Sequence, residues 1–274
     1  MYRMRCIAFA WALFVLLPAT GTSQTRSVEL AYSLESSTVS AREPIGLTLT
    51  IKNNSDQPIA VDLGLQGEQN FKLTAVGPDG STKTIVPPLH EGLAPRGDFK
   101  VLPGKSLAKH IVLSDWFDFT AAGRYQIEVR LTSPITGLQG EVVAADPGTQ
   151  LSLDVSPADD SQLQKTCAGL LAEISSSTSY ERAESAGKKL AAITDPVAVP
   201  YLLQATSFWH LEPITIRALR KIGDTTAVDA LIGLLNPRNS DAAALARSAL
   251  MQLEDRIADP PLRDRVHRAL EPKL

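Results

Sequence analysis

Residues 216–235 read IRALRKIGDTTAVDALIGLL, and their pattern predicts two short amphipathic helices joined by a tight turn. Apolar residues recur every three or four positions on both sides of the turn, as they do on the buried face of a helix. Gly223 ends the first series, where a helix favours a residue that tolerates left-handed backbone geometry. Asp224 or Thr225 would cap the second helix by accepting hydrogen bonds from its unpaired amides. The two apolar series are Ile216, Leu219 and Ile222, and then Val228, Leu231, Ile232 and Leu235.

The Leu-x-x-Ile-Gly-Asp motif at 219–224 has two weaker copies in the same chain. The first copy starts at Leu190 and the second at Leu250, shifts of 29 and 31 residues from Leu219. A period of about thirty residues is typical of helical solenoids, whose units bury a continuous core only by stacking on one another. We therefore predict that residues 157–274 form an α-solenoid of about three helical hairpins, followed by a C-terminal capping helix.

Two stretches of this half carry a resemblance to a known class of repeat. IGDTTAVDALIGLL at 222–235 and SALMQLED at 248–255 resemble bacterial HEAT-like repeats, and the resemblance extends over roughly 161–274. It implies a stack of helical hairpins and a binding surface, without implying any particular ligand. In such stacks the second helices of the hairpins line one face.

Residues 24–156 have a different periodicity, because their apolar residues alternate with polar ones instead of recurring at helical spacing. Short alternating runs separated by turn residues predict an antiparallel two-sheet β-sandwich. The fold class predicted for the whole chain is therefore two-domain, all-β followed by all-α. The predicted strands centre on residues 28–34, 45–51, 59–63, 71–75, 107–112, 125–131 and 151–155.

Three motifs resemble immunoglobulin-like sandwich domains of exported bacterial proteins: LTLTIKNNSDQPI at 47–59, LPGKS at 102–106 and FTAAGRY at 119–125. In the third motif Tyr125 follows a turn, and its hydroxyl is expected to bond back to the backbone as in a tyrosine corner. The order of strands and turns also resembles a small bacterial proteinase-inhibitor domain of the same sandwich type. The triplet NNS starting at Asn53 matches the N-glycosylation sequon, and we interpret it as a chance match.

Residues 1–23 form a predicted secretory signal peptide. Arg3 and Arg5 precede an unbroken apolar run at 7–17, which is too short for a bilayer that needs about twenty residues. Cleavage would leave a periplasmic or secreted protein without a membrane span, and no lipid anchor is expected because no cysteine directly follows the run. Cys167 would be the one cysteine of the mature chain, and its helical spacing with apolar residues favours a core position over a reactive thiol.

Composition and motifs argue against nucleic-acid binding and catalysis. The 274 residues carry a formal net charge of −3, which is not the strongly basic balance of a nucleic-acid binder. The 4 histidines lack metal-ligand spacing, and no phosphate loop, dinucleotide fingerprint or serine elbow is present. We therefore predict a protein that is not an enzyme and has no catalytic, cofactor-binding or metal-binding residues. A weak metal alternative is His90 with Glu91, and Asp115 with Asp118 either binds a cation or ends a strand, the second being favoured.

The predicted binding surface is a basic ridge on the second helices of the hairpins. Lys188 and Arg217 occupy equivalent places in the repeat, and such a ridge would meet acidic protein partners. The competing interpretation is that these cations only solvate an exposed face. The aromatic pair Phe208-Trp209 either folds back over the core or forms a contact site. The candidate protein-binding residues are Lys188, Arg217, Arg220, Lys221, Arg247, Phe208 and Trp209.

The leading functional hypothesis is an exported, non-enzymatic binding or scaffold protein of the cell envelope, with other extracytoplasmic proteins as its partners. One alternative is an exported proteinase inhibitor that presents the proline-rich loop from Pro87 to Gly104 to a protease. Another alternative is a metal-dependent enzyme that uses His90 together with carboxylates of the same loop.

Overall fold

The chain places its β-strands first and its α-helices second, as the change of periodicity predicts. Strands occur from residue 28 to residue 156, and α-helices from residue 160 to residue 270. The predicted signal peptide, Trp209 and most of the 87–104 loop lie outside the residues that the structure describes. The structure is a computed structural model that describes residues 27–64, 70–85, 97–208, 210–235 and 240–271.

The strands of the β-rich half are between 3 and 9 residues long. The strands of four residues or fewer show little alternation of apolar and polar residues, and the sequence pattern does not predict five of them. The described strands are β1 (Val28–Leu34), β2 (Thr38–Ser40), β3 (Gly46–Asn53), β4 (Ile59–Asp62), β5 (Phe71–Val76), β6 (Thr82–Ile85), β7 (Asp98–Val101), β8 (Ser106–Val112), β9 (Gly123–Leu131), β10 (Ile135–Gly137), β11 (Val142–Ala144) and β12 (Thr149–Ser156).

These strands pair in sheets of order β1-β3-β8, β11-β10-β4-β7 and β2-β12-β9-β5-β6. Their pairings are antiparallel, apart from the parallel pair of β2 with β12. Asn53 lies where the β3–β8 ladder gives way to the β4–β7 ladder, and its side-chain amide donates to the carbonyls of Gln57 at 2.8 Å and Val101 at 3.0 Å. Asn53 is fully buried, which agrees with interpreting the sequon as a chance match.

The prediction of one long loop from residue 87 to residue 104 is wrong. Asp98–Val101 within that segment forms β7 and pairs with β4. Three of its four residues are exposed and only Val101 is buried, so the strand carries no alternating pattern. Its conformation depends on backbone hydrogen bonds to β4, which local sequence does not reveal.

The β-rich half encloses one hydrophobic core to which all three sheets contribute. Alternate residues of β9 are buried along its length, as predicted for the clearest alternating run. Tyr125 in β9 donates its hydroxyl to the carbonyl of Ala121 at 3.0 Å, which confirms the bond expected of a tyrosine corner.

A polar network is also buried in this half. The hydroxyl of Tyr32 donates to the carboxylate of Asp146, which accepts further hydrogen bonds from the amides of Leu131 at 2.6 Å and Gly148 at 2.8 Å. Burial and the adjacent carboxylate raise the pKa of Tyr32 well above its ordinary value. The network joins β1 to the end of β9 and to the segment before β12, and nothing in the sequence marked it.

The helical half contains seven α-helices among the described residues. Helices α2, α4 and α6 contact one another in that order, and α1, α3, α5 and α7 do the same in a second layer. The helices are α1 (Asp160–Ser176), α2 (Tyr180–Ala192), α3 (Val199–Ala205), α4 (Glu212–Ile222), α5 (Thr225–Gly233), α6 (Ser240–Glu254) and α7 (Pro260–Leu270).

The turn between α4 and α5 has the geometry that the sequence predicts. Gly223 adopts the left-handed region with φ 63°, and Asp224 accepts a 2.8 Å hydrogen bond from the amide of Ala227. Cys167 lies in the shared core of the helices and is fully buried. Burial raises the pKa of its thiol to about 11, which agrees with a core residue rather than a reactive thiol.

Candidate protein-binding face

A charged joint links the β-rich half to the first helices. Arg42, between β2 and β3, has a φ of 77°, which is uncommon for a residue with a side chain. Its guanidinium contacts Asp160 at the start of α1 and donates at 2.5 Å to Asp195 in the turn after α2. Glu43 accepts a 2.5 Å hydrogen bond from the hydroxyl of Thr166 in α1. One loop of the β-rich half therefore contacts two helical segments with charges of both signs.

Further contacts hold the same joint. Lys189 of α2 pairs with Glu35, just after β1, at 2.6 Å. The hydroxyl of Ser40 donates to the carbonyl of Pro157 and accepts from the amide of Asp159, both at 3.1 Å. The side of α2 that carries Lys189 therefore faces the β-rich half.

Three cations of the second helices act on one carboxylate of the β-rich half. Asp115 ends a 3₁₀ helix that directly follows β8. Partial loss of hydration raises the pKa of its carboxyl, while the positive charges of Lys221, Arg217 and Lys188 lower that pKa. Part of its side chain remains open to solvent, so the group lies at a surface. Arg217 and Lys221 lie one turn apart on α4, and Lys188 occupies the equivalent repeat position on the neighbouring α2, so the three cations lie on the same side of these helices, and we call them the cationic face.

The repeat register explains two members of the cationic face. Lys188 lies in α2 and Arg217 in α4, at the equivalent positions that the sequence repeat predicts. Lys221 follows Arg217 by one helical turn, and both side chains are exposed. Lys188 also pairs with Glu184 at 2.8 Å, but the two side chains are 45% and 33% exposed. Surface pairs of this kind contribute only about 0.3–0.5 kcal/mol, so Glu184 does not commit Lys188 to a structural role.

The other two predicted cations make different contacts. Arg220 contacts the side-chain carbonyl of Gln252 in α6. Arg247 donates at 2.8 Å to the backbone carbonyl of Leu270, at the end of α7, where a cation stabilises the unpaired carbonyls of a helix. The structure therefore brings together Lys188, Arg217 and Lys221, and it places Arg247 in the packing of α6 with α7.

The aromatic segment before α4 is only partly described. Phe208 is half-buried and packs against the helical core, as the fold-back interpretation predicts. The ring of His210 lies 4.9 Å from that of Tyr180, measured between centroids. Trp209 lies outside the described residues, and its part in binding stays a prediction.

The described residues also bear on the weaker chemical hypotheses. Among them, no group of three or more His, Cys, Asp or Glu side chains is arranged to hold a metal ion. His90 and Glu91 lie outside the described part of the chain. Asp118 is exposed and follows the 3₁₀ helix that Asp115 ends. No helix in the described segments has the length and apolar character needed to cross a membrane.

The sequence contains little sign of the joint. Arg42 and Glu43 look like an ordinary polar turn, because the helical partners of Arg42 are 118 and 153 residues away along the chain. The one local signal is Asp195, which occupies the repeat position of Asp224 and likewise caps the helix that follows it. A cap needs only one carboxylate oxygen, and in Asp195 the second oxygen binds Arg42.

Comparison with known proteins identifies one segment. Residues 215–237 match the family model of the PBS lyase HEAT-like repeat. This HEAT-like repeat takes in most of α4 and all of α5, and it includes Arg217 and Lys221 of the cationic face. No curated protein matches the chain.

Solved structures align with about half of the chain at low similarity. The sporulation control protein Spo0M from Bacillus subtilis is 14% identical, with 53% of this chain and 55% of that chain covered and a TM-score of 0.29. A CARDB domain from Pyrococcus furiosus, in complex with di-metal ions, is 10% identical, with 47% and 87% covered and a TM-score of 0.27. A β-glucosidase from Listeria innocua is 12% identical, with 48% of this chain and only 16% of that chain covered and a TM-score of 0.27.

Proposed function

We propose that this chain is an exported, non-enzymatic binding protein that holds an acidic surface of another extracytoplasmic protein on its cationic face. In this proposal residues 1–23 are a signal peptide removed on export, and residues 24–156 are an immunoglobulin-like β-sandwich. Residues 157–274 are a HEAT-like solenoid of three helical hairpins, capped by α7. Because neither fold carries a function by itself, the proposal rests on the surface.

The observation that carries the proposal is that Lys188, Arg217 and Lys221 are all exposed on α2 and α4, two helices that contact each other. Even when Asp115 and Glu184, the partner of Lys188, are counted, the three cations leave this surface with a net positive charge. Like charges held on one surface repel each other, and an acidic partner surface would relieve that repulsion. Complementary charge also speeds association and fixes the orientation of the partner.

Packing supports the use of these helices as a rigid binding platform. Arg217 stands between the buried residues Ile216 and Ala218, and Lys188 follows the buried Gly187. Helices α2 and α4 also contact each other directly. A surface whose backbone is already ordered loses less conformational entropy on binding than a mobile loop does.

The test is a cross-linked pull-down from the extracytoplasmic fraction with the full-length chain. Lys188→Glu combined with Arg217→Glu reverses two charges of the cationic face. The matched control, Lys165→Glu combined with Arg268→Glu, reverses two exposed cations of α1 and α7 in the other helix layer. Capture by the native chain and the control but not by the face variant supports the proposal. Capture that is equal in all three, or lost equally in both variants, refutes it.

The two alternative functions stay predictions. The proteinase-inhibitor hypothesis depends on the 87–104 loop, whose described part includes strand β7 rather than an extended loop. An inhibitor would slow proteases of at least one class at sub-micromolar concentration. The metal-dependent hypothesis depends on His90, and metal analysis of the purified full-length chain tests it directly.

A further inference from the structure

A groove of about 350 Å³ opens along the edge of the helical half where successive hairpins are joined. It lies between the end of α4, the end of α6 and the start of α7. This volume is at the lower end of what ligand pockets enclose, and it suits one or two side chains better than a large cofactor. The groove is lined by Arg220, Lys221, Ile222, Gly223, Leu253, Arg256, Ile257, Ala258, Asp259 and Leu262.

The lining has an apolar floor and a cationic rim. Leu253, Ile257 and Leu262 are buried and form the floor. Arg220, Lys221 and Arg256 supply three positive charges, against the single carboxylate of Asp259. Arg220 contacts the neutral side chain of Gln252 in α6, and this contact does not compensate its charge.

An equivalent edge elsewhere in the fold already receives a peptide loop. The turn after α2 contains Asp195, which matches Asp224 in the turn after α4. At the first turn the β-rich half inserts its loop, and Arg42 bonds to Asp195 at 2.5 Å. There the cation of Arg42 meets the helical carboxylates Asp160 and Asp195, while the neighbouring Glu43 of the loop bonds to the neutral hydroxyl of Thr166. At the open groove the helical side is basic, so charge complementarity calls for an acidic segment.

The start of α7 narrows the choice of ligand further. Pro260 and Pro261 occupy the first turn of α7 and have no amide hydrogen to donate. The backbone cradle with which many helix N-termini bind a phosphate is therefore incomplete here. Side-chain cations remain as the charged donors, and the apolar floor favours a ligand that also has an apolar side chain.

We propose that this groove binds an acidic peptide segment of a partner protein. One apolar side chain would rest on Leu253 and Ile257, and carboxylates on either side of it would meet Arg220, Lys221 and Arg256. The inference rests on the proposed protein-binding function, and it adds a contact on a different edge from the cationic face. Lys221 is the one residue that both surfaces share.

The test measures binding of a fluorescein-labelled peptide, Glu-Glu-Leu-Glu-Glu with blocked ends, to the full chain by fluorescence anisotropy. Peptides with Gln in place of Glu, or with Ser in place of Leu, serve as matched probes. Both are expected to bind about tenfold or more weakly, because the first loses the charge-assisted bonds and the second loses the apolar anchor. Raising the salt concentration is expected to weaken binding of the acidic peptide and to leave binding of the Gln peptide unchanged.

Variants at exposed positions separate binding from folding. Arg256→Glu and Ala258→Glu place a carboxylate at the groove and are expected to weaken the acidic peptide about tenfold. Asp259→Asn removes the one carboxylate of the lining and is expected to tighten binding about threefold. Asp259 is the N-cap of α7 but makes no side-chain capping bond, and Asn is an equally good cap. Changes of opposite sign at neighbouring positions do not arise from a general loss of structure.

A final comparison keeps the groove and the cationic face distinguishable. Lys188→Glu combined with Arg217→Glu is expected to change peptide affinity less than about twofold, although it removes the partner in the pull-down. Absence of peptide binding at millimolar concentration overturns the proposal that the groove binds a peptide. Equal peptide affinity in the native chain and in Ala258→Glu overturns it as well. Equal loss in the groove and face variants also overturns it, because that result indicates unspecific attraction. None of these peptide results decides the pull-down.

Discussion

Replacing Arg42 tests whether one charged side chain holds the β-rich half against the helices. Two variants separate its two properties, the ion pairs and the left-handed backbone. Arg42→Ala removes the guanidinium and keeps a Cβ atom at a φ of 77°. Arg42→Gly also removes the guanidinium, but glycine adopts this φ without strain.

The exposures of the two ion pairs set the expected magnitude. Asp195 is only 15% exposed and Arg42 32%, so removing the cation leaves a partly buried carboxylate unpaired, which costs about 1.5–3 kcal/mol. Asp160 is 77% exposed, and its pair adds less than about 1 kcal/mol. We expect Arg42→Ala to weaken the joint by about 2 kcal/mol. We expect about 1 kcal/mol for Arg42→Gly, because relief of about 1–2 kcal/mol of strain exceeds glycine's entropic cost of about 0.5–1 kcal/mol.

Hydrogen-exchange mass spectrometry is the suitable assay, because it reports local opening of the joint at the segments that form it. Exchange in peptides covering residues 38–46 and 160–166 is expected to be about thirtyfold faster in Arg42→Ala and about fivefold faster in Arg42→Gly. Arg265→Ala is the control, since it removes a partly exposed pair with Asp229 between α7 and α5 and is expected to leave these peptides unchanged. Native exchange in Arg42→Ala would mean that the ion pairs of Arg42 do not hold the joint, and faster exchange in Arg42→Gly than in Arg42→Ala would mean that the backbone at residue 42 is not strained.

Three further variants test other contacts. Asp146→Ala leaves Tyr32 and two buried amides without their acceptor, and urea denaturation is expected to show a loss of about 3 kcal/mol. Gly223→Ala places a Cβ atom on left-handed backbone and is expected to lower the free energy of unfolding by about 1–2 kcal/mol. Gly169→Ala places a Cβ atom in open space on α1 and is expected to raise the free energy of unfolding by about 0.5–1 kcal/mol. Thermal melts measure both changes. The hydrogen bond with Glu254 raises the pKa of His267 in the folded protein. This pair therefore stabilises the fold fully below about pH 6.5, the pKa of an unfolded histidine, and its contribution is lost as the pH rises through the pKa that His267 has in the folded protein. His267→Gln is expected to remove that part of the pH dependence of Tm.

Each of these outcomes has a clear opposite. A change below about 1 kcal/mol in Asp146→Ala would mean that water replaces the carboxylate as acceptor. Equal melting shifts of the same sign in the two glycine variants would contradict the backbone argument. An unchanged pH profile in His267→Gln would mean that the contact with Glu254 does not persist in solution.

The turn at Gly223 and the alternation of β9 were predictable because both depend on neighbours within a few residues. A glycine after an apolar helical series and an aspartate beside it specify a left-handed end and a cap. Alternation over β9 specifies which residues face the core. The short strand β7 was not predictable, because its residues are mostly exposed and it is a strand only through pairing with β4.

The cationic face was predictable only in part, for a related reason. The repeat spacing aligned Lys188 with Arg217, because equivalent positions in stacked hairpins lie on equivalent helix faces. The repeat also predicts Arg247 on this face, but its side chain bonds to the end of α7 instead. The partner of a long side chain depends on which groups the packing of the helices brings near it. The sequence favours Asp115 as a residue that ends a strand. Its proximity to three cations depends on how the β-rich half and the helical half meet.

Sequence patterns alone predict the order of a β-rich half and a helical half, the HEAT-like repeat around residues 215–237 and the burial of Cys167. These features follow from periodicity and local backbone preference, which a single chain segment contains in full. Tertiary structure alone decided the joint at Arg42, the partner of Arg247 and the basic groove beside α7. Each of these depends on residues far apart in the chain, and their distances are set only when the helices and sheets pack.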